Sequence, residues 1–464
     1  MNKPSAAQLQ SVNPATGKII RSYDELDDAA IQQCISKVDA SQKNWMTRSF
    51  SERSKKMRTA AAILRADADR FSRLMAEEMG KPLSQGKAEA EKCAWVCEYY
   101  AKNAPLYLQD EPAETEAEKS YIHYSPIGVI FAVMPWNFPF WQVFRFAAGA
   151  VMAGNGVVLK HAENVTGCSL AIEQVFKDAA FPADLFRSLV ITKNQAGQVI
   201  TNPAVKAVTL TGSVDAGRAV AALAGEALKK SVMELGGSDP YIVLADANMD
   251  DAVSKCAGSR LLNSGQTCIS AKRFIIEEKI FDDFVRKFVL EMKSKTMGNP
   301  LDDPDIGPQA RADLRDNLHR QVMDSVEKGA KILLGGEIPK REGFFYPPTV
   351  LSDITRDMPV FSEETFGPVA AVIKAKSEED AIDIANDSPF GLGAAVFTRD
   401  IAKGERIARE KLHAGSCFVN DFVRSDPRLP FGGINLSGYG RELYIYGARE
   451  FTNVKSVYIG RSTG

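Results

Sequence analysis

Ile127-Gly-Val-Ile-Phe-Ala-Val133, a helical stretch over Val143–Met152, then Gly156-Val-Val-Leu-Lys160 decide the fold. The two outer runs are short, apolar and β-rich, and turn residues bound them, so each reads as a strand. The pattern then repeats. Val165–Asp178 and Val214–Leu228 read as helices, and Phe186–Ile191 and Lys206–Thr211 as strands. Alternating strand and helix implies a parallel sheet with helices on both faces. The alternation resumes after residue 237, with strands near Tyr241–Leu244, Phe274–Glu277 and Val369–Lys374. The predicted class is α/β with two doubly wound domains, which suits a chain of 464 residues, long for a single core.

Upstream, Ser49 opens a helical pattern in which Met57, Ala60, Leu64, Phe71, Leu74 and Met79 recur, and Gly80-Lys-Pro82 closes it. A second helix is predicted from Gln85 to about Lys102; both are read as packing elements. Thr115–Tyr124 and Val454–Ile459 fit neither domain and read as edge strands.

Composition narrows the function. With 57 basic and 59 acidic residues the formal charge is −2, which gives no reason to expect nucleic acid or an anionic membrane as partner. No apolar run approaches the roughly 18–20 residues that span a bilayer, and Met1-Asn-Lys-Pro-Ser5 has no apolar signal core. The seven scattered cysteines form no disulfide framework, which fits a reducing cytoplasm. Cys93 and Cys97 are four apart and only four histidines are present, so no metal site is expected.

The chemistry centres on Cys268 in Asn263-Ser-Gly-Gln-Thr-Cys-Ile-Ser270. A Gly-bounded turn after the helical stretch Asp250–Leu262 can hold a thiol exposed and deprotonated, although the local sequence also fits an inert surface thiol. Asn137, just past the first strand, is either a turn residue or an amide donor for an oxyanion. Glu234 closes Ser231-Val-Met-Glu-Leu235 before Gly236-Gly237, as a hinge carboxylate or as a base with a raised pKa. Thr211-Gly-Ser-Val-Asp-Ala-Gly217 is a Gly-rich turn opening a helix, a weak phosphate-binding signal on its own. Arg145 is either a solvated helix arginine or a fork for a substrate carboxylate.

Together, Pro135-Trp-Asn-Phe-Pro139, Glu234-Leu-Gly-Gly237, Cys268, Glu363-Glu-Thr-Phe-Gly-Pro368 and Pro430-Phe-Gly-Gly433 resemble, in order, the motif set of the aldehyde dehydrogenase superfamily, with its bacterial succinate-semialdehyde dehydrogenases the most similar subgroup. The resemblance implies Cys268 as nucleophile, Asn137 with the Cys268 N–H as oxyanion donors, and Glu234 as general base. It implies NAD as cofactor, with NADP weaker. Trp136, Lys160, Glu163, Gly212, Ser213, Leu235, Glu364 and Phe366 are the expected cofactor contacts. Glu163 would accept bonds from a free ribose 2′-OH and repel a 2′-phosphate, although His161 departs from the usual Lys-Pro motif.

The same resemblance implies a substrate site at Arg145, Arg424 and Ser425, with Arg260 in reserve because Leu262 stands where a second arginine is expected. Pro430–Gly433 would line the mouth of the site and Asn420 would support the thiol loop. The implied domains are 1–107 with 127–236 for the dinucleotide, 237–451 for catalysis, and 108–126 with 452–464 as an arm that joins subunits into a homodimer or homotetramer. The expected reaction oxidises a short aldehyde, succinate semialdehyde first, through a cysteine thiohemiacetal and thioester. A CoA-acylating semialdehyde dehydrogenase or a broad-specificity aldehyde dehydrogenase is the alternative.

Overall fold

Two mainly parallel sheets organise residues 8–461, the part of the chain that the computed structural model describes. The first has six strands in the order Gly438–Tyr439, Lys230–Glu234, Val205–Thr211, Val129–Met134, Gly156–His161 and Phe186–Ser188. All its neighbours are parallel except the first pair. Val157, Val158, Leu159, Ile130 and Phe131 are fully buried, as expected of strands covered by helices on both faces. Strand order reverses on either side of Val129–Met134, so a crevice opens beyond the carboxyl ends of Met134 and Thr211.

The second sheet runs Lys331–Leu334, Thr349–Ser352, Val369–Ala375, Arg273–Glu277, Pro240–Val243, Gly393–Phe397 and Ser416–Val419, parallel except at its first pair. The third is small: Thr452–Ile459 pairs antiparallel with Lys119–Pro126, Thr452 opposite Pro126, and Glu111–Pro112 joins the other edge of Lys119–Pro126. Val454 and Tyr458 on this arm are exposed.

Local chemistry explains the helix boundaries. Ser49 and Glu52 form a capping box, with Glu52 N–H donating to Ser49 Oγ and Ser49 N–H to the Glu52 carboxylate. The single helix expected up to Met79 is two, Phe50–Ala66 and Ala68–Met79. Asp67 leaves the helical region between them, at φ −100° and ψ 14°. The next helix is longer than expected, Leu83–Tyr107, and carries Pro105.

Other elements escape the sequence reading: a hairpin of Gln8–Asn13 and Lys18–Asp24, and the helix Asp28–Trp45. Gly438–Tyr439 returns to the first sheet beside Glu234, so the stretch 237–451 is not confined to the second sheet. Met1–Ser5 and the last three residues of the expected arm lie outside the described residues. Among the described residues, no helix is long and apolar enough to cross a membrane.

Candidate active site

The thiol loop follows the helix Met249–Leu261 and reverses the chain through three residues of positive φ: Asn263 at 55°, Ser264 at 57° and Gly265 at 75°. A β-carbon at Gly265 would lie 2.2 Å from the Gly367 backbone, so only glycine fits. Two strained non-glycine residues need external support. Fully buried Arg260 supplies part of it, donating to Ala271 O at 2.8 Å and Gly265 O at 2.5 Å. Lys272 donates to Thr267 O at 3.0 Å and to Cys268 O. Arg260 is therefore a loop brace. Asn420 braces a different place, exchanging hydrogen bonds with the Thr398 backbone at 2.8 and 2.9 Å, so the expected direct support of the thiol loop is absent.

Cys268 is half-buried. Burial pushes its thiol up to about 12, against the opposing pull of the Arg145 and Lys272 charges. The expected exposed thiolate is therefore replaced by a resting thiol that needs a base. Glu234 ends its strand beside Thr211 and opposite Gly438, and is buried. Burial holds its carboxyl well above the ordinary carboxylate range, while Arg145 acts in the opposite direction. Its Oε1 has no hydrogen-bond partner. Gly432 leaves room for it: a β-carbon there would meet Glu234 Oε1 at 2.8 Å.

Asn137 is buried on the turn before the helix Trp141–Ala153. Its Nδ2 donates to Gln266 O at 3.0 Å, and its backbone carbonyl accepts from Asn263 Nδ2 at 2.7 Å. One amide hydrogen is spent on the thiol loop, which leaves the second for a ligand. The turn is held from below by a buried ion pair of Lys81 and Glu89. Glu89 accepts from the Phe140 and Trp141 N–H groups, both at 2.9 Å, and so caps the helix with a carboxylate from another segment. His161 fixes the other side. Its Nδ1 accepts from Ala162 N–H at 3.0 Å, which leaves Nε2–H to donate to Pro139 O at 2.8 Å. Burial lowers its pKa to about 4, so the imidazole is neutral and the unusual residue ties turn to strand.

Two cavities meet at Cys268. One, of about 290 Å³, is lined by Trp136, Asn137, Gly212, Ser213, Leu235, Glu364 and Phe366. Phe366 stands edge-on to Trp136, with ring centroids 5.7 Å apart. Ser213 caps the helix Val214–Glu226 by accepting from Ala216 N–H at 3.3 Å. Glu364 accepts from Gly237 N–H at 2.9 Å and lies 3.8 Å from Lys272. Lys160 and Glu163 line a separate recess of about 580 Å³, with Lys193 and Arg311.

The other cavity beside Cys268, of about 190 Å³, includes Arg145, Arg424, Ser425 and Phe431. Lys92, on the helix read as packing only, also lines it. Arg145 is not a free fork. It is buried, paired with Glu442, and donates from Nη2 to Thr211 Oγ1 at 3.2 Å. Its guanidinium carbon also sits 4.7 Å from the Phe431 ring centroid. Arg145→Leu would strand Glu442 in the interior, which should cost about 3–5 kcal/mol of stability. Urea unfolding checks this, and an unchanged midpoint would refute the bracing role.

Comparison with known proteins sets this geometry in context. The aldehyde dehydrogenase family model matches residues 1–457. The chain is 45% identical over 455 residues to succinate-semialdehyde dehydrogenase (NADP(+)) 1 of Mycobacterium tuberculosis, covering 97% of this chain and 99% of that one. It is 44% identical to succinate semialdehyde dehydrogenase (NAD(P)+) Sad of Escherichia coli K12, over 98% of this chain and 99% of the relative. A solved structure of succinic semialdehyde dehydrogenase from Streptococcus pyogenes, in complex with NADP+, superposes with a TM-score of 0.95 at 35% identity, over 98% of this chain and 100% of that one.

Proposed function

Because this chain belongs to the aldehyde dehydrogenase family, we propose that it oxidises succinate semialdehyde, or a similar short aldehyde ending in a carboxylate, to the acid. The observation that carries this reading is Cys268 as a wall of both cavities: one bears the expected dinucleotide residues, the other the cations Lys92, Arg145 and Arg424. The relatives' names agree with it.

The cofactor class is NAD(P). The residues present fit it. The 13-residue helix Val214–Glu226 points its N-terminus into the cavity at Gly212 and Ser213, where a pyrophosphate gains from the helix dipole. Trp136, Leu235 and Phe366 offer apolar walls for a flat ring, and Glu364 offers a carboxylate to a ribose. A bound nicotinamide supplies the hydride acceptor.

The chain's own residues do the rest. Glu234, once deprotonated, takes the thiol proton of Cys268, directly or through a water, because no hydrogen bond joins the two at rest. The sulfur adds to the aldehyde carbon, and the carbonyl oxygen becomes an alkoxide held by the free Asn137 N–H and the Cys268 backbone N–H. After hydride departure the carbon is a thioester on Cys268. Glu234, having released the thiol proton to solvent, then takes a proton from water, whose oxygen attacks the thioester; the C–S bond breaks, and the acid and the Cys268 thiolate are released. Rate measurements on aldehydes with and without a terminal carboxylate test the substrate. Equal efficiency on both would contradict the acid preference, and turnover only with CoA would replace the hydrolytic step.

The preference between NAD and NADP rests on the 580 Å³ recess. Glu163 favours a free 2′-OH, whereas Lys193 and Arg311 supply charge that suits a 2′-phosphate, so we read the enzyme as accepting both, with Glu163 tilting it toward NAD. Glu163→Gln should shift the kcat/KM ratio toward NADP by about tenfold. An unmoved ratio would remove Glu163 from cofactor choice. The exposed arm supports assembly into a dimer or tetramer.

A further inference from the structure

The cavity beside Cys268 holds three cationic side chains, and two are already neutralised. Arg145 is paired with Glu442, and Arg424 with Asp421 at 2.7 Å. Lys92 is different. Its Nζ donates to Ser425 Oγ at 2.9 Å and lies 4.3 Å from the Trp141 ring centroid. The two nearby carboxylates are committed elsewhere. Glu89 is held by Lys81 and by two backbone N–H groups, and Asp426 by Arg428 at 2.7 Å. Among the described residues Lys92 has no ion-pair partner, although it is half-buried.

The hydrogen-bond arithmetic points the same way. Ser425 Oγ accepts from both Lys92 Nζ and Trp141 Nε1, the latter at 3.1 Å. Both lone pairs are used, so its hydroxyl hydrogen is left to donate. Two ammonium hydrogens and one hydroxyl hydrogen therefore lack a protein acceptor, in a cavity whose lining combines apolar Phe138, Trp141, Ile269 and Phe431 with polar Gln85, Gln142 and Thr267 and the committed carboxylate of Glu89. A cation without a counter-ion in such surroundings is costly, and an anionic ligand relieves the cost. Burial, with Arg145 adding to it, lowers the Lys92 pKa to about 8. That is the strain a bound carboxylate would reverse.

We propose that Lys92 and the Ser425 hydroxyl together grip the substrate's carboxylate tail, and that Lys92 is the residue by which this site selects acids. The inference rests on the aldehyde-oxidation reading above and assigns its substrate-selecting charge. Lys92→Met keeps the length of the side chain and removes the charge; Lys92→Arg keeps the charge. The readout is the ratio of kcat/KM for ω-carboxy aldehydes of two, four and five carbons to kcat/KM for butanal. Lys92→Met should lower that ratio by about tenfold or more, mainly through KM, and Lys92→Arg should restore part of it.

Oxidation of butanal by the wild type checks the reaction separately. An acid preference for a chain length other than four would revise the succinate semialdehyde reading and leave Lys92 in place. An acid preference that survives Lys92→Met, or no acid preference at any length in the wild type, would overturn the proposal.

Discussion

Cys268→Ala should lose aldehyde oxidation entirely, by at least about a thousandfold in kcat, while still binding the dinucleotide. No other cysteine can substitute. Cys93, Cys97, Cys168 and Cys256 are fully buried, and burial raises each thiol. Cys34 and Cys417 line neither cavity at Cys268. The recess at Lys160 and Glu163, proposed above to set cofactor choice, is formed by other residues, so nucleotide affinity, followed by fluorescence titration, should stay nearly intact. Iodoacetamide should label Cys268 faster than the other six cysteines, with a rate that climbs with pH because the resting group is a thiol. Substantial oxidation by the alanine variant would refute the mechanism.

Glu234→Gln should separate the two halves of the reaction. If Glu234 activates the hydrolytic water, its loss should slow steady turnover by about a hundredfold or more, and slow the first hydride transfer less. Stopped-flow traces should then show a burst of reduced nucleotide followed by a slow phase. The sign of the pH dependence follows from burial. The carboxyl holds its proton well above the ordinary range, so the fraction able to act as base rises with pH. The wild-type steady rate should therefore climb with pH through a midpoint above that range, and the variant should lack this limb. A wild-type steady rate in Glu234→Gln would rule out the role.

The alternating runs after residue 127 were legible because parallel strands buried on both faces read as uninterrupted apolar segments; Val129–Met134 and Gly156–His161 fall within two residues of their expected bounds. The hairpin Gln8–Asp24 was not, since its second strand is almost wholly exposed and shows no apolar alternation. Cys268, Glu234 and Asn137 stood out as motifs, each in its own short stretch of sequence. What local sequence could not show were partners far along the chain. Arg145 meets Glu442 across 297 positions, and Lys92 meets Ser425 across 333. Lys92 lies on a helix whose neighbouring positions are filled by core residues, so spacing marks it only as packing. The burial of the thiol was hidden for a related reason: a polar, Gly-bounded turn suggests exposure, but Asn137, Phe138, Trp141 and Gln142, far away in the sequence, help to wall it in.

The central claim is that one residue, at the meeting point of two cavities, carries the substrate as a thioester. Intact-protein and peptide mass spectrometry of Glu234→Gln, quenched after mixing with succinate semialdehyde and NAD, tests it most directly. The account predicts one succinyl group per chain, on the peptide that contains Cys268, removable by hydroxylamine and matched by one equivalent of NADH. An unmodified Cys268 peptide alongside full NADH formation, or an acyl group on another cysteine, would contradict it.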